Sequence, residues 1–316
     1  MTQTRNKRQA PARIEIIGVR SGVGGRDPGA VGAVDSLRAA GLAERLQAGG
    51  LDARWGAMLQ PTRSHAADPT AAMARLGPRL AQAVKDSIGR GAFPLVIGGD
   101  HSCAVGTWSG VAAATRAQGS LGLLWIDAHL DSHTPQTSHT GLIYGMPLAA
   151  LLGHGDAAFT DCLVPGAKVL PQHVCVLGAR SYEPEERALL DRIGVRVIGM
   201  EEIVRRGVTD ALAEAAAIVR GAPVGYGITL DLDVIDPRDA PGVGTPAPGG
   251  VRAHELIDAL AQIAFDPRLR GLEIAEYNPR RDRNGMTAAH ALAIAEVVLG
   301  AGSGEGLQRI ARVAYA

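Results

Sequence analysis

The sequence lacks an excess of charge of either sign. Its 316 residues include 32 lysines and arginines and 32 aspartates and glutamates, so the formal net charge at pH 7 is zero. A neutral chain has no overall electrostatic field with which to hold a nucleic-acid backbone or an anionic membrane surface. Aromatic residues make up only 3% of the chain, which also disfavours stacking platforms for single-stranded bases. The expected partners are therefore small molecules, and neither nucleic acid nor membrane is expected.

Cysteines and long apolar runs are also scarce. Cys103, Cys162 and Cys175 are widely separated and form no C-x-x-C pair, which is typical of reduced, buried thiols. No apolar stretch approaches the roughly 20 residues of a membrane-spanning helix. Residues 1–13 are polar and basic and lack the apolar core of a signal peptide, so we predict a disordered N-terminal tail. These features indicate a cytoplasmic protein.

Short apolar runs alternate with longer segments rich in alanine and leucine. The predicted strands are Ile14–Val19, Pro94–Ile97, Leu121–Ile126, Val174–Leu177, Val195–Ile198, Gly225–Leu230 and Gly271–Ala275. The predicted helices are Ser36–Gln47, Ala71–Ile88, Glu183–Ile193, Thr209–Val219, His254–Phe265 and Thr287–Leu299. This alternation is typical of βα units around a mostly parallel sheet. Because no linker or repeat interrupts it, residues 14–316 are predicted to form a single α/β domain.

Two loops rich in glycine and proline follow predicted strands. Residues 21–32 contain Gly22 and Gly24 but no third glycine at the dinucleotide-binding spacing, so a plain mobile loop at the edge of the sheet is expected. Residues 236–250 hold four prolines and four glycines, which predicts a long ordered loop at the carboxyl end of a strand. In an open parallel sheet, ligands bind at that edge.

Three predicted strands are followed by acidic and imidazole side chains instead of ordinary turn residues. These are His101 after the first, Asp127, His129 and Asp131 after the second, and Asp231 and Asp233 at the third. Alternate side chains of an extended chain point to one face, so the D-x-H-x-D and D-x-D spacings hold each set together. Any one of these residues is explained as a turn cap, but six of them at three strand ends are not.

This set of residues indicates a metal site. Four carboxylates packed together repel one another strongly unless cations neutralise them, and two divalent ions would do so. Carboxylates outnumber imidazoles two to one, a mixture that suits Mn²⁺ better than structural zinc, with Fe, Co, Ni or catalytic Zn as alternatives. Two ions about 3.5–4 Å apart lower the pKa of a bridging water towards neutrality. The sequence therefore predicts a binuclear metallohydrolase.

Four segments resemble the signature blocks of the arginase/agmatinase ureohydrolase family. They are residues 98–102 (GGDHS), 126–131 (IDAHLD), 231–237 (DLDVIDP) and 244–246 (GTP). Residues 36–42 (SLRAAGL) and 145–148 (GMPL) are similar to blocks of the arginase branch. The resemblance implies a three-layer α/β/α fold with a central, mostly parallel sheet of about eight strands. It also implies two Mn²⁺ per subunit, a trimeric or hexameric homo-oligomer, and hydrolysis of a guanidino compound to urea and an amine.

The resemblance assigns roles to individual residues. One set of family metal ligands is matched by His101, Asp127, Asp131 and Asp233, and the other by His129, Asp127, Asp231 and Asp233. Glu276 matches a glutamate that binds the guanidinium group, whose planar cation donates two parallel N–H bonds to a carboxylate. Thr245 matches a residue that helps to orient the same group, or it bonds its own backbone as a loop threonine. Asp131 is expected to stabilise the tetrahedral intermediate as well.

The position of the proton donor departs from the arginase pattern. Tyr144 occupies the place where arginases usually carry a histidine that protonates the leaving amine. A phenol, with a pKa of about 10, is less suited than imidazole to cycling protons at neutral pH. The donor is therefore Tyr144, or His133 or His139 from the neighbouring loop.

Positions that contact the substrate's tail differ as well. His133 replaces an asparagine, and Ser138 and Thr140 occupy the places of hydroxyl contacts to the substrate carboxylate. Glu183 is a methylene longer than the aspartate that contacts the α-ammonium group, while Glu186 is kept. L-Arginine is the leading substrate, with 4-guanidinobutyrate or a hydroxylated arginine as alternatives. A second hypothesis is a non-catalytic arginase-fold subunit that binds metal or a guanidino ligand and regulates a partner.

Overall fold

A computed structural model describes residues 13–62, 68–264 and 266–301 of the chain. Apart from Arg13, the predicted N-terminal tail lies outside the described residues, as do residues 302–316 of the predicted domain and Phe265 at the end of a predicted helix. None of the described helices has the length and apolar character that a bilayer-spanning helix needs. The three cysteines are buried and unpaired, as the sequence indicates.

Eight strands of the described chain form one sheet. They are β1 (Ile14–Val19), β2 (Ala53–Leu59), β3 (Phe93–Ile97), β4 (Leu121–Ile126), β5 (Val169–Leu177), β6 (Arg196–Ile198), β7 (Tyr226–Asp231) and β8 (Leu269–Ala275). Their order is β2-β1-β3-β8-β7-β4-β5-β6, and each neighbouring pair is parallel. Strands β1, β4 and β7 are buried at every position, which explains why their sequences are largely apolar.

Helices cover both faces of this sheet. The described helices are α1 (Ala33–Ala39), α2 (Leu42–Ala48), α3 (Pro69–Gly89), α4 (Ala104–Thr115), α5 (Pro147–Leu151), α6 (Ala157–Thr160), α7 (Pro184–Ile193), α8 (Met200–Arg206), α9 (Val208–Arg220), α10 (Ala253–Leu260) and α11 (Met286–Leu299). Ile16 packs in an apolar cluster with residues of α2, α9, α10 and α11, whereas Ile17 packs in a cluster with residues of α3, α4 and α7. Successive side chains of a strand point to opposite faces, so the predicted three-layer α/β/α fold is confirmed.

The structure contains elements that the sequence pattern did not predict. Strand β2 is an edge strand with mixed burial, so it lacks the continuous apolar run of a central strand. Helix α4 contains Gly106 and Gly110, which interrupt a helical pattern but let α4 approach α3 closely. A Cβ at Gly110 would lie 2.5 Å from the carbonyl oxygen of Ala81. The helix predicted over residues 36–47 is two helices, because Gly41 adopts φ +82 between α1 and α2.

Candidate metal centre

The four central strands, β3, β8, β7 and β4, carry the predicted site residues at their carboxyl ends. His101 lies shortly after β3, Asp127 directly follows β4, Asp231 is the last residue of β7, and Glu276 directly follows β8. These strands are neighbours in a parallel sheet, so their carboxyl ends meet at one edge. The topology thereby brings together residues that are far apart in the sequence.

Three carboxylates surround one nitrogen of His101. Its Nδ1 lies 3.0 Å from Asp127 Oδ2, 3.0 Å from Asp131 Oδ2 and 3.4 Å from Asp231 Oδ2. The side chain of His101 is fully buried, and those of its three neighbours are at most 5% exposed. The family resemblance assigned Asp233 to the ligand sets of both His101 and His129 and Asp231 only to that of His129, but Asp231 lies beside His101 and Asp233 beside His129.

A second group of side chains surrounds His129 and shares Asp127 with the first. The Nδ1 atom of His129 lies 3.1 Å from Asp233 Oδ2 and 3.4 Å from Asp127 Oδ1. Asp127 therefore presents one oxygen to each imidazole. The side chain of His129 is 17% exposed, so this group lies nearer to solvent than the first. Together the two groups bring all six predicted metal ligands into one cluster.

The carboxylates of the cluster are held in place by nearby donors. The Trp125 Nε1–H donates to Asp127 Oδ2 over 2.9 Å, and the Trp125 ring stacks on His101 with ring centroids 4.3 Å apart. The amide of His129 donates to Asp127 Oδ1 over 2.7 Å, and the amide of Asp233 donates to Asp231 Oδ1 over 2.8 Å. These bonds orient the oxygens before any ligand binds.

The electrostatics of the cluster fit divalent cations. Burial, together with the charge of Asp127, raises the pKa of Asp131 to about 8. Burial also raises the pKa of Asp231 and of Glu276 well above the usual carboxyl range. The raised pKa values show that these carboxyl groups resist ionising together, and bound cations would stabilise their ionised forms. Imidazole nitrogens and carboxylate oxygens are suitable donors for Mn²⁺ and related ions.

Two residues of the cluster have an unusual backbone conformation. Asp131 has φ +46 and Glu276 has φ +65, both in the left-handed region that residues other than glycine seldom adopt. Such conformations persist only where the surrounding structure enforces them, and they concentrate at functional sites. The sheet edge therefore holds these two carboxylates in positions that a relaxed turn would not give.

A cavity of about 670 Å³ leads from the surface to the cluster. We call the part of the cavity next to the cluster the metal end; it is lined by His129, Asp131, Tyr144 and Thr245. We call the part lined by the residues predicted to contact the substrate's tail the tail end; these are His133, Ser138, Thr140, Glu183 and Glu186. All of the predicted substrate contacts except Glu276 are therefore in the wall of one cavity.

Glu276 lies behind this wall. Its Oε1 accepts a hydrogen bond from the amide of His101 over 2.9 Å, and a Cβ at Gly244 would lie 2.6 Å from its Oε2. Because glycine has no side chain, there is room beside Glu276 Oε2. The other oxygen of Glu276 is already engaged by the protein.

Of the three candidate proton donors, Tyr144 is the one at the metal end. The side chain of Thr245 lies near enough to this hydroxyl to lower its pKa, which opposes the effect of burial. Burial raises the pKa of Tyr144 above that of an ordinary phenol. His139 is 69% exposed and lies 3.8 Å from Glu185, at the outer part of the cavity.

At the tail end, the two residues that differ from the arginase pattern contact each other. His133 Nε2 lies 3.1 Å from Glu183 Oε2 and 3.5 Å from Glu186 Oε2. The bond with His133 lowers the pKa of Glu183, whose side chain is 53% exposed. The changes at positions 133 and 183 therefore form a pair. The side chain of His133 also lies 3.1 Å from the Thr137 hydroxyl.

Glu186 has a structural function at the same place. Its Oε1 accepts a hydrogen bond from the Ser132 amide over 3.1 Å, and its Oε2 accepts one from the Glu183 amide over 3.0 Å. The second bond is half of a capping box at the start of α7. Burial raises the pKa of Glu186 to about 7. This carboxylate therefore links the helix to the loop that carries His133.

The loop at residues 21–32 is part of the site and is not a plain edge loop. The Gly24 amide donates to Asp100 Oδ2 over 3.1 Å, and the Gly24 carbonyl accepts from the amides of Ile143 and Tyr144. Arg26, which follows this contact, lines the cavity. Only glycine fits at position 24, because a Cβ would collide with the side chains of Asp100 and Ser102. The sequence shows the glycines of this loop but does not indicate the distant residues that they contact.

Comparison with known proteins agrees with this geometry. The sequence model of the arginase family matches residues 12–300. The chain belongs to the arginase family. It is 37% identical over 289 residues to an arginase of Bacillus caldovelox, covering 89% of this chain and 96% of that protein. It is 43% identical over 222 residues to an arginase of Brevibacillus brevis, covering 70% of this chain and 74% of that protein.

Solved arginase structures show the same fold. The native structure of Bacillus caldovelox arginase matches with a TM-score of 0.86 and 36% identity, over 92% of this chain and 98% of that chain. Membership of the arginase family confirms the prediction of a hydrolase that acts on C–N bonds of linear amidines, in a family that depends on metal. A formimidoylglutamase of Bacillus subtilis, at 23% identity and a TM-score of 0.72, shares the fold alone.

Proposed function

We propose that this protein hydrolyses L-arginine, or a closely related guanidino acid, to urea and an amine at two Mn²⁺ ions. The observation that supports the proposal best is the shared carboxylate of Asp127, which presents one oxygen to each imidazole-containing group. A carboxylate in that position suits a pair of neighbouring ions. When bound, the ions would polarise the substrate and lower the pKa of a water molecule so that it becomes a nucleophile.

The proposed ligands divide between the two groups. His101, Asp127, Asp131 and Asp231 would hold one ion, and His129, Asp127 and Asp233 would hold the other. The backbone and Trp125 donors already orient these carboxylates, so little reorganisation is needed on binding.

The protein's own groups would position the substrate and handle its protons. Glu276 Oε2, beside the space at Gly244, would accept N–H bonds from the guanidinium group. Asp131 in the cavity wall would stabilise the tetrahedral intermediate. Tyr144, with Thr245 beside it, is the favoured donor of a proton to the leaving amine, because His133 is paired with Glu183 and His139 lies at the exposed end of the cavity.

The tail end of the cavity carries charges of both signs. Glu183 and Glu186 are acidic groups that would attract an α-ammonium group, while Arg26 in the same wall would attract a carboxylate. Ser138 and Thr140 line the same region and add hydroxyl groups, although each already accepts a backbone N–H of its own loop. A tail with both charges, as in an amino acid, fits this wall better than a simple amine does.

Urea release from a panel of guanidino compounds tests this proposal. The Mn²⁺-loaded protein would be assayed with L-arginine, agmatine, 4-guanidinobutyrate, guanidinopropionate, hydroxyarginine and guanidine. We expect L-arginine or one of the guanidino acids to be the best substrate by kcat/KM. Preference for agmatine or guanidine would show that the tail end does not recognise an amino acid.

A second candidate function is that of a non-catalytic subunit that binds metal or a guanidino ligand and regulates a partner. The raised pKa of Tyr144, at the position of the expected histidine, favours this alternative. It predicts metal binding without urea release from any compound of the panel. A trimeric or hexameric homo-oligomer and a cytoplasmic location stay predictions, to be checked by light scattering and by cell fractionation.

A further inference from the structure

Glu273 is a buried carboxylate that the proposed reaction does not use. It lies on β8 opposite Thr229 of β7, and it is 0% exposed. Within the described residues, no lysine, arginine or histidine forms an ion pair with it. Burying a carboxyl group without compensation is costly, so its partners should explain its presence.

The partners of Glu273 are hydroxyl groups. Its Oε1 accepts a hydrogen bond from the Thr229 hydroxyl over 2.8 Å. Its Oε2 accepts a hydrogen bond from the hydroxyl of Thr107, on α4. Burial raises the pKa of Glu273, and the two hydroxyl donors oppose that rise by stabilising its ionised form. In that form both oxygens accept hydrogen bonds, and the contact with Glu273 orients the Thr229 hydroxyl.

Thr229 connects Glu273 to His101. The Thr229 oxygen lies 2.9 Å from His101 Nε2. A hydroxyl group has one proton, and here that proton is directed to Glu273, so the oxygen has to accept the Nε2–H of the imidazole. A neutral imidazole with its proton on Nε2 has a bare lone pair on Nδ1, the nitrogen that faces Asp127 and Asp131. A bare nitrogen is what a metal ion requires.

The second imidazole of the cluster has no comparable support. His129 also directs its Nδ1 to the carboxylates, at 3.1 Å from Asp233 Oδ2. In the described parts of the chain, no side chain hydrogen-bonds its Nε2. The two imidazoles thus differ in how firmly their tautomer and ring position are fixed.

We propose that Glu273, acting through Thr229, is a positioning residue that presents the Nδ1 lone pair of His101 for metal binding. The inference rests on the metal-binding role proposed above for His101. The hydrogen bonds from Glu273 through Thr229 to His101 form a relay. Affinity for the ion held by His101 depends on this relay, whereas affinity for the ion held by His129 does not. Groups that orient a ligating histidine typically contribute about 10–100-fold to metal affinity.

Titration of the metal-free protein with Mn²⁺, with free ion followed by electron paramagnetic resonance, tests the proposal. We expect Thr229→Val, which removes the hydroxyl at nearly constant volume, to weaken one of the two binding steps by about 10–100-fold. Thr229→Ser keeps the hydroxyl and should bind Mn²⁺ like the wild type. Glu273→Gln should weaken the same step as Thr229→Val, and the double variant should be no weaker than Thr229→Val alone.

A matched control separates positioning from general stability. Thr115 is a buried threonine far from the site that bonds a backbone carbonyl, so Thr115→Val repeats the loss of a buried hydroxyl. The unfolding temperatures of the metal-free Thr115→Val and Thr229→Val proteins should fall by similar amounts, while only Thr229→Val changes Mn²⁺ affinity. If Thr229→Val does not fold, the comparison of Glu273→Gln with wild type gives the same information.

Three results would overturn the relay. They are unchanged affinity for both ions in Thr229→Val and Glu273→Gln, equal weakening of both ions, and weak binding by Thr229→Ser. A wild-type protein that binds no Mn²⁺ overturns it as well. A wild-type protein that binds two ions but releases no urea contradicts the proposed hydrolysis, and the relay is then still decided by the Mn²⁺ titrations.

Discussion

The two ends of the cavity differ in burial and in how closely they keep the arginase pattern. At the metal end, the side chains of Asp127 and Asp233 are at most 1% exposed, and the six proposed metal ligands keep the family pattern, whereas Tyr144 departs from it. At the tail end, the side chain of Glu183 is 53% exposed, and it pairs with His133, another residue that departs from the pattern. In the proposed reaction, the buried end would carry out the hydrolysis and the open end would select the substrate.

The largest effect is expected from a substitution at the metal end. Asp127→Asn removes the carboxylate shared by both groups, which should weaken both ions and cost several kcal/mol of transition-state stabilisation. We expect kcat/KM for urea release to fall by roughly 10³-fold or more. Asp191→Asn, at an exposed ion pair with Arg187, is the control and should change little. An Asp127→Asn enzyme with near-normal activity would remove the cluster from the mechanism.

The effect of pH on metal binding comes next. Because the pKa of Asp131 is raised to about 8, this carboxyl group is protonated below that pH and must lose its proton to bind an ion. Mn²⁺ affinity should therefore rise with pH between 6 and 8, by about tenfold per pH unit for each proton released. Calorimetry at pH 6, 7 and 8 in buffers of different ionisation enthalpy measures the Mn²⁺ affinity and the number of protons released. An affinity independent of pH, with no proton release, would contradict this assignment.

Changes at Tyr144 test the one residue of the metal end that departs from the family pattern. Tyr144→Phe removes the hydroxyl and should lower kcat by about 10²-fold if Tyr144 is the proton donor. Tyr144→His should raise turnover near neutral pH, because imidazole exchanges protons there more readily than a phenol with a raised pKa. The pH profile of kcat checks both variants. Full activity of Tyr144→Phe would transfer the donor role to His133 or His139.

Changes at the tail end should have the smallest effects, and they should depend on the substrate. Arg26→Ala should raise KM for L-arginine by about tenfold, the value of one charged hydrogen bond, and leave agmatine, which has no carboxylate, nearly unchanged. Glu183→Ala should raise KM for L-arginine more than for 4-guanidinobutyrate, which has no α-ammonium group. Steady-state kinetics with these three substrates is sufficient. Equal changes for all three would show that neither residue contacts the tail.

The metal end was predictable from the sequence because its signal is local and repeated. Asp127, His129 and Asp131 share a period of two after an apolar run, and Asp231 and Asp233 repeat that period in another strand. Parallel strands then bring the two sets to one edge without further information. The apolar runs predicted most strands, since central strands of a parallel sheet are largely apolar, whereas the three layers followed from the family resemblance.

The rest depended on contacts between distant segments. Strand β2 lacks an apolar run because it is an edge strand, and α4 contains glycines that only its close packing on α3 explains. The contact of Gly24 with Asp100 joins residues 76 positions apart. Glu273 reads as one polar residue in an apolar strand, and its relay to His101 crosses three segments of the chain. No period or spacing in the sequence indicates such pairings.

If the cluster hydrolyses a guanidino compound only when metal is bound, urea release must follow the binding of Mn²⁺. The most direct measurement adds Mn²⁺ stepwise to the metal-free protein and records the initial rate of urea release from L-arginine. We expect the rate to rise with Mn²⁺ and to reach its maximum near two ions per chain. Two bound ions without urea, from L-arginine or from any guanidino acid of the panel, would contradict it.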